Sequence, residues 1–96
     1  MKAVNRSLFT WFSKVEIERR RRIQVSLWAY AYEIENNPIV SDQVFDEQCS
    51  KIDLSIMTGH SILDKWFIEN FTPYTGQWIY KHPELNLLKQ LYERVR

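Results

Sequence analysis

Two carboxylates, Asp42 and Asp46, stand four residues apart in the stretch SDQVFDEQC. Side chains at this spacing lie on one face of a helix, where they could hold a cation. Two carboxylates alone rarely form a metal site, because Ca²⁺ and Mg²⁺ need about six oxygen ligands. Ser41 precedes them as a helix cap would, and Asp42 would then complement the positive end of the helix dipole. We therefore predict a helix start here and no metal site.

The other residues with catalytic potential do not form a known motif. Cys49 falls on the apolar stripe of the helix after Ser41, and a buried thiol is usually inert. His60 and His82 lie at predicted helix edges, where capping is a common role. The sequence contains no Gly-x-Ser-x-Gly turn, no His-Glu-x-x-His pair and no glycine-rich phosphate loop. We predict no catalytic residue and a protein that is not an enzyme.

Four consecutive arginines, Arg19–Arg22, are the strongest local concentration of charge. Successive helical positions point in different directions, so the four side chains cannot form one patch. A solvated helix face with Glu16 and Glu18 as neighbours explains them. Contact with a partner protein, or with nucleic-acid phosphates together with Arg6 and Lys14, is the alternative.

Composition indicates one all-α domain. The chain has 96 residues, of which 45% are hydrophobic and 15% aromatic, with only two Gly and three Pro. These values allow a packed core and disfavour an all-β fold with many tight turns. The chain has a single cysteine, no apolar run near the ~20 residues that span a bilayer, and no signal-peptide pattern. These features predict a cytoplasmic protein.

Charge is unevenly distributed along the chain. The balance is +5 in residues 1–32, −6 in residues 33–72 and +2 in residues 73–96. A basic end and an acidic middle could attract different partners, or each other.

Hydrophobic periodicity predicts a helical hairpin over residues 13–56. Ser13 and Glu16 have the capping-box spacing that starts a helix, and Pro38 would end it near Asn36. A second helix follows Ser41 and continues to about residue 56. Apolar stripes fall at Ile23, Leu27, Tyr30 and Ile34, at Val25, Trp28 and Tyr32, and at Phe45, Cys49, Ile52 and Ile56.

One or two further helices are predicted to pack on this hairpin within residues 57–96. Ser61 would cap a helix ending near Asn70, and His82 with Pro83 would start the last one. Between them, TPYTGQW has the composition of an ordered turn. The apolar positions are Leu63, Trp66, Phe67 and Phe71, and Leu88, Leu91, Tyr92 and Val95.

Residues 1–12 form a possible aromatic arm that must dock on the core or on a partner. Trp and Arg are the side chains that most often anchor protein interfaces. The predicted partner-binding residues are therefore Phe9, Trp11, Phe12, Arg19, Arg20, Arg21, Arg22, Trp66 and Trp78.

The stretch WAYAYEIENNPIVSDQVFDEQCSKI, residues 28–52, resembles the small N-terminal helical domain of bacterial NAD-dependent DNA ligases. That family has an aromatic pair at a helix end, a short loop with Pro, and then Asp, two residues, Tyr and Asp. The resemblance covers about a quarter of the chain. In the ligases this domain holds the nicotinamide mononucleotide (NMN) half of NAD.

The resemblance implies a nicotinamide-nucleotide site at three residues. Tyr32 matches the tyrosine that stacks on nicotinamide, and Asp42 and Asp46 match the two aspartates. Glu33 stands where the family usually has His or Tyr and adds negative charge. Phe45 replaces a Tyr and lacks its hydroxyl. The Lys-x-Asp-Gly adenylation motif is absent from the sequence.

With KHPEL at residues 81–85, the chain looks like the small ligase-related proteins of tailed phages and prophages. Our leading expectation is a non-enzymatic accessory protein that binds and inhibits or modulates a host protein of DNA repair, recombination or defence. The alternative is an NMN- or NAD-binding module. A third possibility is non-specific DNA binding through the basic helix.

Overall fold

The computed structural model describes the backbone of residues 6–95 and the side chains of residues 13–95. The elements are α1 (Arg6–Glu33), α2 (Asp42–Ser50), α3 (Ser61–Asn70), a 3₁₀ helix (Gln77–Lys81) and α4 (Leu85–Val95). No strand occurs in the described range. The predicted all-α class is confirmed.

Helix α1 is the scaffold on which the other elements pack. It has 28 residues, which corresponds to about 42 Å of helix at 1.5 Å per residue. It contacts α2, the 3₁₀ helix and α4. It begins at Arg6, so the predicted start at Ser13 is wrong. Glu16 does not form a capping box but pairs with Arg19 and Arg20 on the next turn.

The buried face of α1 is more polar than its apolar pattern suggested. Val25 and Ala29 lie in the core as expected, but Glu18, Arg22 and Ser26 share their face and are also buried. Three residues predicted for the apolar stripes, Ile23, Tyr32 and Ile34, are instead exposed. The apolar periodicity of the sequence therefore did not identify the whole buried face of α1.

The guanidinium of Arg22 organises these buried polar groups. Its Nε donates to Glu18 Oε2 at 2.7 Å and its Nη1 to Asp64 Oδ1 at 2.9 Å. Its Nη2 donates to the carbonyl oxygens of Asp53 and Ile56, both at 2.9 Å. We call Glu18, Arg22 and Asp64, with the backbone groups they bind, the Arg22 cluster.

The two carboxylates of the Arg22 cluster also bind backbone N–H groups. Glu18 accepts from the N–H of Asp53 at 3.1 Å. Asp64 accepts from the N–H of Thr58 at 2.9 Å and from its hydroxyl at 2.6 Å. Within residues 13–95 no buried side-chain nitrogen or oxygen lacks a hydrogen-bond partner.

These bonds explain why α2 is shorter than predicted. The apolar spacing of Ile52 and Ile56 suggested that the helix continues to about residue 56, but it ends at Ser50. The N–H of Asp53 and the carbonyls of Asp53 and Ile56 are held by side chains of α1 instead of by intrahelical partners. The segment between α2 and α3 is thus an ordered loop.

The loop between α1 and α2 is fixed at both ends. Asn36 has φ = 54°, a left-handed conformation that Asn tolerates better than most residues. The backbone N–H of Asn37 donates to the carbonyl of Ala31 at 2.8 Å. The Asn37 side chain donates to the Tyr92 hydroxyl at 2.9 Å, which ties the loop to α4. Ser41 then caps α2 as predicted, accepting from the N–H of Val44 at 3.2 Å.

An aromatic cluster packs α3 against the 3₁₀ helix. Ring centroids lie 5.1 Å apart for Trp66 and Phe67 and for Phe71 and Trp78. The His82 ring centroid lies 4.9 Å from that of Trp66, and His82 Nδ1 accepts from the N–H of Glu84 just before α4.

The cap of α3 is His60 and not the predicted Ser61, since His60 Nδ1 accepts from the N–H of Leu63.

We expect Arg22→Met to lower the free energy of unfolding by roughly 3–5 kcal/mol, because it leaves the buried carboxylates of Glu18 and Asp64 without their cation. Urea denaturation followed by circular dichroism measures this. The control is Arg20→Met, whose side chain is 78% exposed and whose loss should cost no more than about 1 kcal/mol. Equal effects of the two substitutions would contradict this role of Arg22.

Burial lowers the pKa of His82 to about 4, against an ordinary value of 6.5, with Glu84 opposing the shift. As the pH falls below 6.5, His82 becomes protonated in the unfolded chain, whereas in the folded chain it stays neutral until about pH 4. The free energy of unfolding therefore declines between these two pH values. We expect a loss of about 2 kcal/mol between about pH 7.5 and about pH 5 from this group.

Urea denaturation at the two pH values tests this loss. His82→Asn should show a smaller loss of stability than the wild type, because Asn does not titrate. An identical pH dependence in His82→Asn and the wild type would refute the assignment.

Candidate functional site

A cleft of about 350 Å³ opens where the end of α1 meets the start of α2. Its walls come from the last turns of α1, the loop after α1, the first turns of α2 and the segment before the 3₁₀ helix. The lining residues are Trp28, Ala29, Tyr32, Glu33, Pro38, Ile39, Val40, Asp42, Phe45, Asp46, Tyr74, Thr75, Gly76 and Gln77.

The cleft brings together the three residues predicted to bind a nicotinamide nucleotide. Tyr32 comes from α1, while Asp42 and Asp46 come from the face of α2 that the one-turn spacing defines. Glu33 and Phe45, the two departures from the ligase pattern, line the same cleft. The structure therefore confirms that these residues are neighbours, and ligand binding by them stays a prediction.

We call the segment before the 3₁₀ helix the third wall of the cleft. It is the ordered turn that the composition of TPYTGQW predicted. Tyr74, Thr75, Gly76 and Gln77 supply it. The backbone N–H of Tyr74 donates to the Thr72 hydroxyl at 3.3 Å, and that of Gln77 to the Thr75 hydroxyl at 3.2 Å. These local bonds fix the backbone, whereas the side chain of Tyr74 is 90% exposed at the cleft. The composition TPYTGQW indicated a turn but not which helices it would meet.

The turn lies close to both helices at Gly76. A Cβ at this position would lie 3.4 Å from the Ala29 Cβ, 3.5 Å from Phe45 Cζ and 3.7 Å from Glu33 Cγ. From the 3₁₀ helix, the Tyr80 hydroxyl donates to the carbonyl of Glu33 at 2.9 Å. This hydrogen bond holds the 3₁₀ helix, and with it the preceding turn, against the end of α1.

The cleft is aromatic and negatively charged. Its carboxylates belong to Glu33, Asp42 and Asp46, and its lining includes no Lys, Arg or His. None of the three carboxylates takes part in an ion pair within residues 13–95. Carboxylates beside aromatic rings favour a positively charged, planar group.

The metal-binding potential of Asp42 and Asp46 gains no further ligand from the tertiary structure. Across the described part of the chain, no group of three or more His, Cys, Asp or Glu side chains is arranged to hold a metal ion. Cys49 is buried as predicted, and burial raises the pKa of its thiol to about 12.

Two residues predicted to bind a partner lie in the core, so these predictions are wrong. Arg22 is 4% exposed within its cluster. Trp78 is 5% exposed, and its indole N–H donates to the carbonyl of Thr75 at 2.7 Å. Neither side chain is available to a partner, because both satisfy groups inside the domain.

The other predicted contact residues differ in their surroundings. Arg19 and Arg20 pair with Glu16 and Arg19 also donates to the Thr58 carbonyl, while Arg21 donates to Gln48. Trp66 is half-buried in the aromatic cluster. The side chains of Phe9, Trp11 and Phe12 lie outside the described residues.

A second cavity of about 280 Å³ lies between α1, α3 and α4. Its lining is mainly apolar and includes Ile23, Phe67 and Leu88. Tyr32, Asp42 and Asp46 line the first cleft and are absent from the lining of this cavity.

The helices of the described chain include none with the length and apolar character needed to cross a membrane. Comparison with protein families, curated proteins and solved structures gave no match for this chain.

We expect Gly76→Ala to change the free energy of unfolding by less than about 1 kcal/mol, because the new Cβ would make ordinary contacts. Gly76→Val should cost roughly 1–3 kcal/mol by crowding Ala29 and Phe45. Gly59→Ala is a useful contrast, since Gly59 has φ = 94°, where any side chain is strained. Equal tolerance of Ala and Val at position 76 would show that the turn does not pack as described.

Proposed function

We propose that this domain is a non-catalytic binding module that takes the nicotinamide end of a pyridine nucleotide in the cleft between α1 and α2. The observation that carries the proposal is the convergence of Tyr32, Asp42 and Asp46 on one cleft. They are also the three residues that match the nicotinamide-binding positions of the ligase-like stretch. The further presence of Trp28 and Tyr74 makes the cleft suitable for an aromatic ligand.

The size of the cleft supports a small ligand. A volume of about 350 Å³ lies near the lower end of the range of roughly 300–1,000 Å³ found for small-molecule sites. Such a volume suits a ring with its sugar better than a whole dinucleotide. The rest of a longer nucleotide would extend into solvent.

The residues of the cleft can play distinct parts in recognition. The Tyr32 ring, half exposed at the end of α1, offers a face for stacking on the nicotinamide ring. Asp42 and Asp46 are acceptors that can bind the carboxamide N–H₂ or the ribose hydroxyls. Phe45 is half-buried and supplies an apolar edge in place of a tyrosine.

Binding to a host protein stays a prediction, and fewer of the predicted contact residues are exposed to take part in it. The burial of Arg22 and Trp78 removes two of its proposed anchors. DNA binding through the basic helix likewise stays a prediction, and Arg22 cannot contribute to it for the same reason.

Titration of ¹⁵N-labelled protein with nicotinamide riboside tests the proposal. We expect saturable amide shifts at residues 28–46 and 74–77, with a Kd between roughly 10 µM and 1 mM. Tyr32→Ala and Asp42→Asn should each weaken binding about tenfold or more, since each removes a ring face or an acceptor.

Two variants outside the cleft serve as controls for this titration. Ile23→Ala removes an exposed side chain from α1, and Glu47→Gln removes an exposed carboxylate from α2. Both should bind like the wild type. The absence of shifts at 10 mM ligand, or equal losses in the controls and the cleft variants, would refute the proposal.

A further inference from the structure

We infer that the cleft selects a cationic ligand without a phosphate, an N-substituted pyridinium nucleoside, over the corresponding nucleotide. This inference rests on the proposed function and concerns the chemical class of the ligand. It follows from the charges that line the cleft and from the Ser41 cap and Asp42 carboxylate at the nearby helix N-terminus.

The lining of the cleft presents negative charge without compensation. Glu33, Asp42 and Asp46 are its only ionisable carboxylates, and none has a cationic partner within 4.0 Å in residues 13–95. None of Arg19–Arg22 lines the cleft. The nearest of them is Arg22, six residues before Trp28, and its guanidinium is held by Glu18 and Asp64. A phosphate in this cleft would meet like charges.

The start of α2 does not offer the usual alternative for binding a phosphate. A helix N-terminus binds anions through free N–H groups and the positive end of its dipole. Here the Ser41 hydroxyl already accepts from the N–H of Val44. The carboxylate of Asp42 in the first turn complements the dipole. An incoming phosphate would have to displace these groups or lie beside a carboxylate.

The same features favour a pyridinium ring. N-substitution gives the nicotinamide ring a permanent positive charge, which is attracted to carboxylates and to the faces of Trp28, Tyr32 and Tyr74. Tyr74 has a fixed backbone and a side chain that is 90% exposed, so it can stack on a bound ring without disturbing the core. Neutral nicotinamide lacks the charge and gains only the stacking.

Four probes separate charge, sugar and phosphate. They are nicotinamide, 1-methylnicotinamide, nicotinamide riboside and NMN, each titrated by NMR and calorimetry at low and high salt. We expect 1-methylnicotinamide to bind more tightly than nicotinamide, and the riboside at least about tenfold more tightly than NMN at low salt. Both differences should shrink at high salt, because screening weakens charge interactions.

Charge-neutralising variants test whether the cleft carboxylates cause this selectivity. Glu33→Gln and Asp46→Asn should each reduce the riboside-to-NMN preference about threefold or more, while Glu47→Gln leaves it unchanged. Tyr74→Ala should weaken the cationic probes without altering the free energy of unfolding, as expected for a side chain that packs on nothing in the unliganded domain.

The outcomes distinguish the inference from the function on which it rests. NMN binding as tightly as the riboside, or a preference that survives Glu33→Gln and Asp46→Asn, would overturn the inference and leave the proposed function standing. No binding by any of the four probes would overturn the proposed function, and the inference with it.

Discussion

The hydrogen-bonding capacity of one buried guanidinium is the constraint on which this structure depends. Arg22 joins Glu18 of its own helix to Asp64 of α3 and holds two carbonyls of the intervening loop. A buried charge is tolerated only when it is paired and its hydrogen bonds are satisfied. The loop and α3 therefore take up positions that complete the pairing, and the aromatic cluster closes over it, with the Arg22 guanidinium 5.5 Å from the Phe67 ring centre. Such a cluster specifies a single arrangement more than it adds to net stability.

This arrangement divides α1 into two parts with different roles. Its middle supplies Glu18 and Arg22 to the interior, while its last turns supply Trp28, Tyr32 and Glu33 to the cleft. The Arg22 cluster holds the loop after α2, and the bond from Asn37 to Tyr92 holds the loop before it. The short helix α2 is thus fixed at both ends, which sets where Asp42 and Asp46 stand relative to Tyr32. A structural network some distance away thereby positions the candidate site.

The cleft is formed by residues that belong to no catalytic motif. Its aromatic rings and carboxylates are ordinary surface residues when taken singly. Their concentration around one concavity, without a cationic side chain among them, gives the cleft a chemical preference. Glu33 adds to that negative character, and the turn at Tyr74 adds a wall that residues 28–52 do not contain.

The sequence by itself determined the helical class, the cap at Ser41, the burial of Cys49 and the membership of Tyr32, Asp42 and Asp46 in one hairpin. These features depend on local periodicity and on backbone groups a few residues apart, which a linear pattern records. Only the tertiary structure decided that Arg22 and Trp78 are interior, that α2 stops at Ser50, and that the turn at residues 74–77 completes the cleft. Each of these depends on partners more distant in sequence than one helical turn or on burial: Arg22 meets Asp64 forty-two positions away. Four adjacent arginines are alike in sequence, and the partners that fold against the helix determine which of them is buried.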